Sequence, residues 1–177
     1  MPQNSPRADG ARVLADLNAL RAIGAYKTGV HKPTFSEAHA RSLEWLAGKM
    51  PDAGLAAVVD GIGNVLGSSA KAGAKLLAGS HLESQNHAGW LDGPLGVVYA
   101  LEAARAVTAD PAFADCGVDV ISCCDEEGHF GNFLGSRSYV GALSEADIDA
   151  ARERNGERTM REAIASVGLA GRPRLRA

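Results

Sequence analysis

Lys75-Leu-Leu-Ala-Gly-Ser80, the Ala/Leu/Val-rich run from Pro94 to Val107, and Val118-Asp-Val-Ile-Ser-Cys-Cys124 follow one another along the chain, and together they decide its fold. The outer two are short apolar runs, the second rich in β-branched residues, and each is bounded by polar or Gly-containing loops; both read as strands. The middle run is long enough for a helix, and Pro94 suits its first turn, where a backbone N–H has no partner to lose. A strand, a helix and a second strand imply a parallel pair joined by a right-handed crossover.

Working upstream, Leu55-Ala-Ala-Val-Val-Asp60 and Asn64-Val-Leu-Gly67 flank Gly61-Ile-Gly63 and read as two short strands joined by a glycine turn, followed by a loop over Ser68–Gly73. Val13, Leu14, Leu17, Leu20 and Ile23 recur at spacings of three and four and predict a helix over Asp9–Ala25. Ser36 is placed to cap a second helix carrying Ala40, Leu43, Leu46 and Met50, which Pro51 and Gly54 stop. Downstream, Ser144 and Thr159 each head a further helical stretch. The Arg-rich end, Gly171-Arg-Pro-Arg-Leu-Arg-Ala177, reads as a solvated tail.

Composition narrows the function classes. The 177 residues carry 18 Lys+Arg against 21 Asp+Glu, so no net basic surface favours nucleic acid or an anionic membrane. No apolar run approaches the length of a membrane span, and Met1–Arg7 lacks the apolar core of a secretory leader. Three cysteines, two of them adjacent, make a poor disulfide framework and fit a reducing, cytoplasmic setting.

Ligands of open α/β sheets bind beyond the carboxyl ends of parallel strands. There this sequence places Gly79-Ser-His81-Leu-Glu83-Ser-Gln-Asn-His87, then Asp92-Gly93-Pro94, and Asp125-Glu126-Glu127-Gly128-His129. So many carboxylates on one rim repel one another unless a cation sits among them, and imidazole with carboxylates suits a divalent metal. Each residue taken alone has a plainer reading. His81 is a loop or core histidine, Asp92 a helix cap, and Glu126-Glu127 an exposed acidic turn. His87 and His129 have no strand end or cap to anchor them as ligands, and Cys123 and Cys124 read as small packed hydrophobes. Gly61-x-Gly63-x-x-x-Gly67 opens no helix and is not a dinucleotide loop, and no Gly-x-Ser-x-Gly elbow is present.

In combination, Gly79-Ser-His-Leu-Glu-Ser-Gln85, Leu91-Asp-Gly-Pro-Leu-Gly-Val97 and Asp125-Glu-Glu-Gly128 resemble the binuclear-metal amidohydrolases that include N-carbamoyl-L-amino-acid hydrolase, β-ureidopropionase and allantoate amidohydrolase. Ile23-Gly24, Gly29-Val30 and Asp60-Gly-Ile-Gly-Asn64 resemble segments of the same family. The resemblance implies an α/β, zinc-exopeptidase-like three-layer sandwich with a mostly parallel sheet, and cleavage of linear amide or ureido C–N bonds in small carboxylate-bearing substrates. It implies that His81 and Glu127 are terminal metal ligands, Asp92 bridges two divalent ions (zinc, or manganese, cobalt or nickel), and Glu126 is the general base. Glu83 stands where the family has Asp, and by resemblance would orient the His81 imidazole; Gln85 lies close enough to touch substrate.

Residues 1–177 resemble only the amino-terminal part of such a catalytic domain. The family's lid and dimerisation domain, its returning segment and two further histidine ligands have no counterpart here, since no histidine follows His129. The expectation is therefore weak binding of one ion or none, and negligible turnover. The alternative is a non-catalytic remnant or self-associating interaction module that uses its apolar sheet edge.

Overall fold

The computed structural model describes residues 6–177, so the stretch Met1–Arg7 lies partly outside the described residues. Helix α1 (Gly10–Ala22) begins at Asp9, whose carboxylate accepts the Ala11 and Arg12 N–H groups, and it turns Leu17 and Leu20 inward. A two-strand ladder, β1 (Ala25–Tyr26) and β2 (Gly29–Val30), leads to α2 (Glu37–Lys49), capped by Ser36 as expected. The hairpin β3 (Leu55–Val59) and β4 (Val65–Ser69) turns at Gly61–Gly63 and is antiparallel. Next come β5 (Lys75–Ser80), α3 (Pro94–Ala109) and β6 (Gly117–Ser122), with β5 and β6 parallel in register from Lys75 opposite Gly117 to Ser80 opposite Ser122. Three short helices follow: α4 (Leu134–Tyr139), α5 (Glu145–Ala150) and α6 (Met160–Ser166).

The main sheet runs β3-β4-β6-β5. It is mixed rather than mostly parallel, because the tight β3–β4 turn enforces an antiparallel pair and β4 then docks antiparallel to β6. Helix α3 packs on β5 and β6, α2 packs on β3 and β4, and α1 stacks on α3. Leu55, Val65, Val118 and Val120 are buried on the covered face. On the opposite face Val58 and Leu77 remain 47% and 44% exposed, so of the three layers expected, one helical layer is incomplete among the described residues.

Two features were not anticipated. Helix α4 starts at Phe133, with φ of +53° and no capping side chain, and therefore gives no local signal. The Arg-rich end is largely exposed, as expected, but also docked: Gly61 N–H donates to Pro173, Leu175 N–H to Asp60, and Arg174 to the Leu143 carbonyl and the Glu145 carboxylate. Asn64 bolts the end of β6 to α4, accepting the Cys124 N–H at 2.9 Å and donating to the Gly135 carbonyl at 3.0 Å. No described helix is long and apolar enough to cross a membrane.

Candidate metal centre

The parallel pair delivers its two carboxyl ends to one edge. His81 is the first residue after β5, Asp125-Glu126-Glu127 follow β6, and Asp92 lies in the turn that starts α3. Asp125, at φ of +58° and fully buried, organises the β6 loop by accepting the N–H groups of His129, Phe130 and Gly131 and the Thr34 hydroxyl. Burial pushes its carboxyl above the usual range, with those hydrogen bonds pulling it back.

His81 is held in one tautomer. Its Nδ1 lies 3.1 Å from the Glu83 carbonyl, which can only accept, so Nδ1 carries the proton and Nε2 a lone pair. That lone pair faces a Glu126 oxygen at 3.5 Å and an Asp92 oxygen at 3.9 Å. These are three acceptors with no donor between them. Ligands about 2.0–2.1 Å from a tetrahedral ion lie roughly 3.3 Å from one another, so both pairs are spaced more like ligand pairs than hydrogen bonds. Gly93, at φ of +81°, lets the turn close over the ring, because a Cβ there would come within 2.5 Å of the imidazole.

Asp92 is not a helix cap. Gly93 occupies the cap position of α3, no side chain bonds there, and the Asp92 side chain is 81% exposed beside His81. Glu127 is turned away from this group, since its Oε2 accepts the Gln85 amide at 2.9 Å. Gln85 also donates to the Glu127 carbonyl, as does Arg154, so its amide is engaged with the protein rather than presented to a substrate. Among the described residues no three His, Cys, Asp or Glu side chains converge on one point as an ion's ligands. The donor chemistry around His81 thus fits a divalent ion, while the ligand set is incomplete as it stands.

Glu83 also departs from the role its resemblance implied. Its carboxylate is 3.9 Å from His81 Nδ1, too far for a hydrogen bond, and its own backbone carbonyl orients the ring instead. The methylene that Glu has beyond Asp carries the carboxylate past the imidazole to the Glu126 N–H, which it accepts at 2.6 Å. Burial pushes the Glu83 carboxyl up, with the hydrogen bond from the Glu126 N–H among the groups opposing.

Behind it lie two residues the sequence reading did not single out. Lys32 and His39 are completely enclosed. Burial brings the Lys32 ammonium down to about 8, with Glu83 opposing, and drives His39 down to about 3. His39 had a signal, since it precedes Leu43 by one turn on the buried face of α2; Lys32 had none. Cys123 and Cys124 are thiols, not thiolates, because burial raises both. His87 stacks on Tyr26 and His31, away from the site.

No protein-family model matches the chain. It is 30% identical over 168 residues to the N-carbamoyl-L-amino-acid amidohydrolase of Paenarthrobacter aurescens, an alignment covering 92% of this chain and 40% of that protein. It is 34% identical over 137 residues to the allantoate deiminase of Arabidopsis thaliana, covering 73% of this chain and 26% of that one. Its fold superposes with a TM-score of 0.94 and 45% identity on an amidase of the hydantoinase/carbamoylase family from Burkholderia phymatum, over 99% of this chain and 43% of that one. The chain therefore spans well under half the length of each.

Proposed function

Since this protein is a partial chain of the family of N-carbamoyl-L-amino-acid amidohydrolases and allantoate deiminases, we propose that its β5–β6 edge carries part of a metal-dependent site for hydrolysing linear amide or ureido C–N bonds. The observation that carries this reading is the His81 Nε2 lone pair, fixed by the Glu83 carbonyl and facing two carboxylates with no donor between them. Divalent ions held there, zinc or manganese, cobalt or nickel, would activate water and polarise the scissile carbonyl.

In this reading His81, Asp92 and Glu127 would hold the ions, Glu127 after rotating off Gln85. Glu126 takes the proton of the attacking water and returns it to the leaving nitrogen, a role suited to a half-exposed carboxylate beside the ligands. The substrate class is a small carboxylate-bearing carbamoyl amino acid, ureido acid or allantoate. Residues 1–177 align with under half of each relative's length and supply part of the catalytic domain in this reading, and the expected location is the cytoplasm. The isolated chain should bind one ion weakly and turn over negligibly, because its described residues bring no three ligands together.

The test is metal content after dialysis of the purified chain and of Glu127→Ala, with hydrolysis of N-carbamoyl amino acids and allantoate followed alongside. Lower metal content in the variant supports the site; equal content removes Glu127 from it, and full turnover by the wild-type chain contradicts the incomplete-domain reading. One observation favours the second reading, a self-associating module: β5 is a sheet edge and leaves Leu76 and Leu77 63% and 44% exposed. Concentration-dependent dimerisation in light scattering, with no metal bound, is the result that reading expects.

A further inference from the structure

Three enclosed side chains behind the site each leave one polar atom without a hydrogen bond among the described residues: Lys32 Nζ, His39 Nε2 and Glu83 Oε2. Two of these atoms lie close together. His39 Nδ1 accepts the Phe35 N–H at 3.1 Å, so the neutral ring carries its proton on Nε2, which lies 3.5 Å from Glu83 Oε2. Lys32 is fixed beside Glu83 through the next residue, with its N–H donating to the Ser84 hydroxyl and its carbonyl accepting the Ser84 N–H. A buried lysine with no partner is costly, and Glu83 is the acidic group that acts on it. The other oxygen of Glu83 accepts the Glu126 N–H.

We propose that Glu83 is a backbone clamp on the loop that carries Glu126, and that Lys32 and His39 are positioning residues that hold the Glu83 side chain in that reach. The chain of contacts runs from His39 on α2, through one carboxylate, to the peptide N–H of the residue assigned as general base, with the enclosed Lys32 acting on that carboxylate by charge rather than by contact. The consequence for chemistry rests on the function proposed above; the clamp itself is independent of it. Reach is the property at issue, because Asp at position 83 would fall one methylene short of the Glu126 N–H.

The experiment is amide hydrogen exchange by NMR on the 177-residue chain, reading Glu126 with Val120 of β6 as internal control, and zinc calorimetry on the same samples. Glu83→Asp should speed Glu126 exchange roughly tenfold and move its amide proton upfield, with Val120 unchanged. Glu83→Gln, which keeps the reach, should restore most of the protection. Lys32→Met and His39→Leu should each give a smaller, several-fold loss confined to the Glu126 loop. Wild-type protection of Glu126 in Glu83→Asp overturns the clamp, and a parallel rise at Val120 overturns it in favour of a general stabilising role. Absence of zinc binding by the wild-type chain counts against the metal reading alone and leaves the exchange result standing.

Discussion

The His81 imidazole is oriented by the backbone of Glu83 and not by its side chain: Nδ1 is 3.1 Å from the carbonyl and 3.9 Å from the carboxylate. A neutral carbonyl is a weaker acceptor than a carboxylate, so the ring is held by the weaker of the two hydrogen bonds open to it. The carboxylate set free by this exchange holds the neighbouring loop.

Gly93 is a position where a side chain would run into the His81 ring. Gly93→Ala combines a positive φ with a Cβ 2.5 Å from the imidazole, and is expected to destabilise the fold by about 1–3 kcal/mol in urea unfolding. A loss below about 0.3 kcal/mol would mean that the turn relaxes freely, and the tight packing described for it would be wrong.

Asn64 satisfies a buried donor on Cys124 and a buried acceptor on Gly135 at once. Asn64→Ala removes the partner of the buried Cys124 N–H and one of the donors to the Gly135 carbonyl, and is expected to cost about 1–3 kcal/mol, with fluorescence and circular dichroism melting together. Retained stability in that variant argues against the bolt between β6 and α4.

His39 sets a pH dependence whose sign is fixed. The folded protein keeps this imidazole neutral down to about 3, while in the unfolded chain it takes a proton near 6.5. The unfolded state then binds more protons between these values, so His39 contributes stability above pH 6.5 that is lost as pH falls through the window, with a slope of up to roughly 1.4 kcal/mol per pH unit. Urea midpoints from about pH 7 down to about pH 4.5, across the upper part of that window, in wild type and His39→Gln measure it. Equal slopes in the two proteins contradict the assignment.

Gln85 restrains Glu127 through a 2.9 Å hydrogen bond to its carboxylate. If Glu127 must leave Gln85 to meet a metal, Gln85→Ala should tighten zinc binding by roughly three- to tenfold, the worth of one hydrogen bond. Weaker binding in the variant would instead make Gln85 a residue that presents Glu127.

Much of this arrangement was legible in the sequence, because local chemistry specified it. Pro94 marked the start of α3, the β-branched run marked β6, and Ser36, Ser144 and Thr159 cap helices as their types require. Those elements bring His81 and Asp92 to one edge, which the His-x-Glu and Asp-Gly-Pro strings pointed to. What stayed hidden depends on distant partners. The pairing of β4 with β6 makes the sheet mixed, and neither strand encodes it alone. Helix α4 lacks a cap, and the Arg-rich tail docks on Asp60 and Gly61 from more than a hundred residues away. Lys32 is buried against the general habit of lysine, and the direction of Glu127 is set by an amide two residues beyond Glu83.

The central claim is that His81 presents a bare nitrogen to a cation. Calorimetric titration of the purified chain with zinc, beside His81→Ala, tests it most directly. Saturable binding of no more than one ion is expected, weakened by at least roughly tenfold in the variant. Identical isotherms for the two proteins would contradict it.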